Sequence, residues 1–218
     1  MSDLSLPDEE IISSYRNDGV VLLRGFFTDS ELKPYLEKHS LEIQNSTDWA
    51  ESYLNSWSSF SDDETIQNLL CGEKIKKIFS ILDLKMNLIL SEARLGSSNI
   101  SWHRDVHYKA PENMHYSVVS IAMSDATADA GWISYVPGSH LWDVDYSIVG
   151  GKELAKDPQI GFRYYAGLIT ANDSEVRRFD SKKGDVLIWS GYVVHRGENS
   201  NKSANPLRHS LNGHFRSA

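Results

Sequence analysis

Ser101-Trp-His-Arg-Asp-Val-His-Tyr108 admits two backbone conformations, and the choice between them decides the fold. On a helix, His103 and His107 would lie one turn apart as a zinc-binding pair. Zinc hydrolases of that kind carry a Glu base directly after the first His, and Arg104 stands here instead. Trp102, Val106 and Tyr108 are strand formers, so the segment reads as β. Alternate side chains of a strand share a face. His103 and Asp105 then project to one side, close enough for an imidazole nitrogen and a carboxylate oxygen to chelate one metal, and His107 shares that face.

A third ligand has to come from elsewhere in the chain. Val193-Val-His-Arg-Gly197 offers His195, directly after the apolar run Asp185-Val-Leu-Ile-Trp189. Two imidazoles and one carboxylate occupy one face of an octahedron and leave three positions open, the arrangement of non-haem Fe(II) oxygenases. A structural zinc site would be closed by four ligands. Cys71 is the only cysteine, which removes an internal disulfide and the usual thiolate metal sites and fits a reducing cytoplasm. A His-x-Asp pair by itself is a weak motif, so the surrounding chain has to supply the context.

Outward from this stretch the texture is β-rich. Short runs at 85–94, 100–108, 115–123, 132–136, 163–169, 176–179, 185–189 and 207–215 are separated by Gly, Pro, Asn and Asp clusters. That pattern predicts antiparallel strands in a sandwich or barrel, and about eight of them predict a double-stranded β-helix, or jelly roll. The N-terminal third is helical in pattern. Pro7 to Asp18 has acids in its first turn and Gly19 as its stop; Val20 to Arg24 is a buried strand. Thr28 and Glu31 form a capping box that opens a helix to about Gln44. Ile66, Leu69, Leu70, Ile75, Ile78, Phe79 and Leu82 repeat at helical spacing across 63–82. Between these helices, residues 45–63 combine Ser, Asn and Asp with Trp49, Tyr53, Trp57 and Phe60, and read as an ordered or ligand-gated loop.

The class expected is therefore mainly β with α: one domain over 1–218, with helices in 1–84 packed against a jelly-roll core in 85–218. A net charge of −8 argues against nucleic acid as partner, because displacing counterions from phosphates needs a basic surface. The first residues lack a basic and apolar leader pattern. No stretch approaches the roughly 18 apolar residues of a membrane span, so a cytoplasmic protein with no membrane partner is expected.

Four segments, in order, resemble the phytanoyl-CoA dioxygenase family. They are Tyr15 to Phe27 with Ser30-Glu-Leu32; Trp102-His-Arg-Asp105; Ser124 to Gly131 leading to Val136-Pro-Gly-Ser-His140; and Lys183 to Trp189 with His195, Asn199 and Pro206-Leu-Arg208. The resemblance implies a jelly roll that uses Fe(II), 2-oxoglutarate and O2 to hydroxylate or otherwise oxidise a small molecule, releasing succinate and CO2, with ascorbate helpful in vitro. His103, Asp105 and His195 fall on the family's metal ligands. Arg208 falls on the position that clamps the far carboxylate of 2-oxoglutarate, a role suited to a planar guanidinium that stays charged when buried. Ser210 follows on the same strand face and can add a hydrogen bond. Arg196 competes with Arg208 but is expected to face away from His195. Retention of Asp105 separates the chain from related halogenases, in which Gly or Ala at that position opens a halide site.

Other residues carry two readings. His107 either touches substrate or is a satisfied structural histidine. Trp132 stands where the family has a small residue or Pro, and either shapes a pocket or packs between sheets. His140 follows a turn and reads as a loop anchor rather than a ligand. Two other functions compete with the oxygenase: a catalytically silent jelly roll that binds a small molecule, and a metal-dependent hydrolase. The intact ligand set with Arg208 favours the oxygenase. Oligomeric state and substrate are not written in the chain.

Overall fold

The structure is a computed structural model. It describes residues 6–40, 53–54, 63–95, 100–109, 114–126, 131–150, 157, 159–198 and 208–217. In chain order the elements are α1 (Asp8–Asp18), β1 (Val20–Leu23), α2 (Asp29–Lys38), β2 (Tyr53–Leu54), α3 (Glu64–Leu70) and α4 (Glu73–Ile81). There follow β3 (Leu88–Leu95), β4 (Tyr116–Ala122), β5 (Ile133–Tyr135), α5 (Tyr146–Val149), α6 (Gln159–Ala171), β6 (Arg177–Phe179), β7 (Val186–Ser190), β8 (His195–Gly197) and β9 (His209–Arg216).

The strands form two antiparallel sheets, a major one in the order β1-β7-β4-β9-β3-β2 and a minor one in the order β6-β5-β8. Together they make the jelly-roll core. Period-two alternation sorts the major sheet into two faces. Val119, Ile121, Val186, Ile188, Leu211 and Phe215 pack on the N-terminal helices through Ile11, Leu32, Tyr35, Ile66, Leu70, Ile75 and Phe79. Val118, Leu187 and Trp189 face the other way, onto Ile133, Tyr135 and Phe179 of the minor sheet. The same inner face carries Glu92, Arg94, Asn212 and His214, so the space between the sheets is polar at one end.

Local chemistry sets the helix ends. Gly19 takes φ +74° to close α1, and Thr28 and Glu31 form the capping box of α2. The helical stretch at 63–82 is two helices. Asp63 caps the first through the amides of Thr65 and Ile66, and Gly72 separates them where a Cβ would stand 2.1 Å from the Asn68 carbonyl.

Three segments differ from the sequence expectation. Residues 163–169 are helical within α6, not a strand: Gly161 and Tyr165, four residues apart, bury one face while the aromatic content mimics a strand. The run 100–108 forms no regular strand: it runs beside 191–197 through the isolated bridge of His103 with His195 and single backbone bonds from Gly197 to Ile100 and from Val106 to Gly191. β8, only three residues long, falls outside the β-rich runs of the sequence, although a distant strand is the expected source of His195. The aromatic stretch 45–63 lies outside the described residues except for Asp63 and the Tyr53–Leu54 backbone. Among the described residues, no helix is long and apolar enough to cross a membrane.

Candidate metal centre

The centre is built on one short bridge. The His103 amide donates to the His195 carbonyl and the His195 amide to the His103 carbonyl, both at 2.9 Å. The two rings stand with centroids 4.3 Å apart. Asp105 completes the group, and one ligand atom from each of His103, Asp105 and His195 lies within 4.8 Å of the others. Nδ1 of His103 is 2.7 Å from the Ser101 carbonyl, and Nδ1 of His195 is 3.0 Å from the Val193 carbonyl. A carbonyl only accepts, so each Nδ1 carries the proton and each Nε2 offers its lone pair to the same space. The Trp189 indole donates to Asp105 Oδ2 at 2.9 Å, while Oδ1 is 3.8 Å from His195 Nε2.

Electrostatics match a cation site. Burial first, and then His195, hold the His103 imidazole far below its usual range, so it stays a neutral ligand. Burial would raise the Asp105 carboxyl, but His195, His214, His103 and the indole bond outweigh it and keep the group a carboxylate.

Residues outside the centre hold it in place. Arg104, between two of the cluster residues, is 1% exposed and points the opposite way from them. Its Nη2 donates to the carbonyls of Ser139 at 2.5 Å and Trp142 at 3.2 Å, and its guanidinium lies over the Tyr165 ring. Ser139 in turn accepts the Val194 amide at 2.8 Å and donates to the Val136 carbonyl at 2.6 Å. The Gly138 amide and His140 Nε2 bond the Asp18 and Arg16 carbonyls at the end of α1. The Pro-Gly-Ser-His turn thus ties three things together: α1, the strand carrying His195, and the segment carrying His103 and Asp105. His140 acts as an anchor there.

A small cavity opens beside the cluster, lined on the major-sheet side by Glu92, Arg94, Val118, Trp189, Arg208, Asn212 and His214. Arg208 is 4% exposed, and burial, and then the nearby Arg94, pull the pKa of its guanidinium down to about 10. Ser210, two residues on, is buried, and its Oγ has no hydrogen-bond partner among the described residues. Arg196 also lines the cavity, but it is engaged with Glu198 and stacks on Trp102 at 4.5 Å.

Two residues read from the sequence as possible substrate contacts, Trp132 and His107, do not line this cavity. Trp132 precedes β5, where Ile133 takes the inward position, and its ring meets Arg178 at 4.8 Å. His107 is not among the lining residues, but its imidazole interacts electrostatically with Asp105 and His195, and its buried Nδ1 has no hydrogen-bond partner among the described residues. Glu92, Arg94 and Asn212 carry no motif in the sequence, and His214 gives no signal there above background. Extending the alternation from Arg208 and Ser210 along β9 reaches Asn212 and His214, and β3 pairs Glu92 with Asn212 and Arg94 with Ser210.

The phytanoyl-CoA dioxygenase family model matches residues 44–210. The chain belongs to that family. It is 24% identical over 145 residues to a phytanoyl-CoA dioxygenase domain-containing protein 1 homolog of Caenorhabditis briggsae, covering 62% of this chain and 49% of that protein. The chain thus spans about half the length of the relative it matches. Among solved structures, it is similar to the non-haem α-ketoglutarate-dependent epimerase SnoN of nogalamycin biosynthesis (TM-score 0.71, 18% identity, 97% of this chain and 83% of that one). The carbocyclase SnoK of the same biosynthesis gives 0.70, 16%, 98% and 85%. EctD from S. alaskensis, solved with 2-oxoglutarate and 5-hydroxyectoine, gives 0.69, 13%, 100% and 78%. At these identities the likeness speaks for the fold.

Proposed function

We propose that this protein is an Fe(II)- and 2-oxoglutarate-dependent dioxygenase that oxidises a small-molecule metabolite. The observation that carries the reading is the cluster of His103, Asp105 and His195, with both Nδ1 atoms fixed by carbonyls and a buried Arg208 across one cavity. The donor set suits iron: two neutral imidazoles and a carboxylate, supplied from two segments that a backbone bridge holds in register. Arg208 and the unpartnered Ser210 hydroxyl suit a carboxylate end, since both can donate and a carboxylate only accepts.

When bound, iron and 2-oxoglutarate supply an oxidant from O2 while the keto acid leaves as succinate and CO2. The chain's own residues do the rest. Trp189 orients the Asp105 carboxylate, Ser101 and Val193 orient the imidazoles, and Arg208 with Ser210 fixes one end of the co-substrate. The apolar wall of Val118 and Ile133 limits water beside the reacting C–H bond. Hydroxylation is one outcome available to such a centre. SnoN and SnoK, an epimerase and a carbocyclase with this fold, illustrate others.

The test is succinate release from Fe(II), ascorbate and 2-oxoglutarate, measured with and without candidate metabolites. Wild type should turn over slowly alone, and His103→Ala should stop release and lose iron. A wild type that neither binds nor decarboxylates 2-oxoglutarate with any candidate sinks the reading.

A further inference from the structure

The polar wall of the cavity is sorted by hydrogen-bond sense. Arg208 and Ser210 can donate. Glu92 and Asn212, directly paired across β3 and β9 in the next row toward the metal cluster, present acceptors. Glu92 is 4% and Asn212 5% exposed, and both line the cavity. Arg94 Nε donates to Glu92 Oε1 at 2.6 Å, and Asn212 Nδ2 donates to the same oxygen at 3.2 Å. That second bond fixes the amide's orientation, because a flipped amide would set its oxygen against a carboxylate. Glu92 Oε2 and Asn212 Oδ1 are then left buried with no hydrogen-bond partner among the described residues. Buried acceptors without donors are costly, and two neighbouring ones mark where a ligand supplies donors.

The co-substrate cannot do so. As a dianion 2-oxoglutarate has no donor, and a carboxylate beside it would repel it. We propose, resting on the oxygenase reading above, that Glu92 and Asn212 are the specificity seat for the substrate, which offers them two adjacent donors: a primary amino group or a vicinal diol. A single hydroxyl carries one donor and leaves one acceptor unmet. The limited space favours a compact molecule.

The experiment uses holoprotein with Fe(II) and 2-oxoglutarate under argon, where the visible charge-transfer band of the chelate reports co-substrate binding without turnover. Small primary amines and 1,2-diols are compared with their N,N-dimethyl and O-methyl counterparts, first by perturbation of that band and then, in air, by stimulated succinate release. The donor-bearing members should perturb the band and stimulate release at least about tenfold more than the methylated ones. Glu92→Gln, and separately Asn212→Leu, should keep the band and erase that preference. Equal response to donor-bearing and methylated members, no response to either, or a preference that survives both substitutions with the band intact overturns the seat. A wild type with no band overturns the oxygenase reading, and the seat with it.

Discussion

Ser139 uses its hydroxyl twice, accepting the Val194 amide and donating to the Val136 carbonyl, and its own carbonyl receives Arg104. Ser139→Ala leaves the buried Val194 amide without that acceptor, a loss of about 1–3 kcal/mol. Calorimetry should show it as a lowered Tm, with Ser139→Thr recovering part of the loss. Arg104 acts at the same point from the other side. Arg104→Met keeps the apolar length but loses both carbonyl bonds, so the segment carrying His103 and Asp105 is less firmly placed. Iron affinity should fall about 10- to 100-fold, the usual effect of removing a group that orients ligands. Metal titration of the folded variant measures it, and an unchanged affinity would show that the bridge to His195 suffices alone.

Elements were legible where one local rule dominated. The α1 stop at Gly19, the Thr28 capping box and the β4 and β7 runs could be read because capping chemistry and alternation act within a few residues. α6 was not, since Arg163-Tyr-Tyr-Ala-Gly-Leu-Ile169 has strand-like composition and only its burial pattern, set by tertiary packing, favours the helix. The three cluster residues were legible from spacing and resemblance. Arg104 and Glu92 were not, because a charged residue in a half-buried segment looks solvated until its partners, tens of residues away, are known. The turn into β7 gives an element-scale test. Gly184 sits at φ +88°, and a Cβ there would stand 2.1 Å from the Phe27 carbonyl. Its own carbonyl accepts the Phe27 amide. Gly184→Ala combines left-handed strain with a backbone clash, and should cost more than about 2 kcal/mol in denaturant unfolding. A variant as stable as wild type would mean that the turn can relax away from Phe27.

Across the whole molecule, burial that builds the site also makes the fold acid-sensitive, through groups on both faces of the major sheet. His209, on the helix-packed face, is 4% exposed with Nε2 3.1 Å from the Tyr35 hydroxyl. Burial, and then His39, pull its pKa from 6.5 to about 4. Above pH 6.5 both folded and unfolded chains hold it neutral. Between 6.5 and about 4 the unfolded chain takes a proton that the folded chain refuses, so stability falls by up to about 1.4 kcal/mol per pH unit for this group. Glu92 acts lower on the scale: burial would raise its carboxyl, but His214 and Arg94 bring it down to about 2 from 4.5. Its contribution is intact above 4.5 and is lost as pH falls toward 2. The expected result is an apoprotein whose denaturant midpoint declines from pH 6.5 to 4 and then further below 4.5. His209→Gln should lessen the slope of the upper limb, to which the buried His103 also contributes, and leave the lower one. Because iron requires neutral imidazoles at His103 and His195, loading the metal should raise the midpoint at pH 7 and steepen its fall with acid, as the bound ion is released on protonation. A holoprotein curve parallel to the apoprotein curve would mean that the ion is not held by these imidazoles.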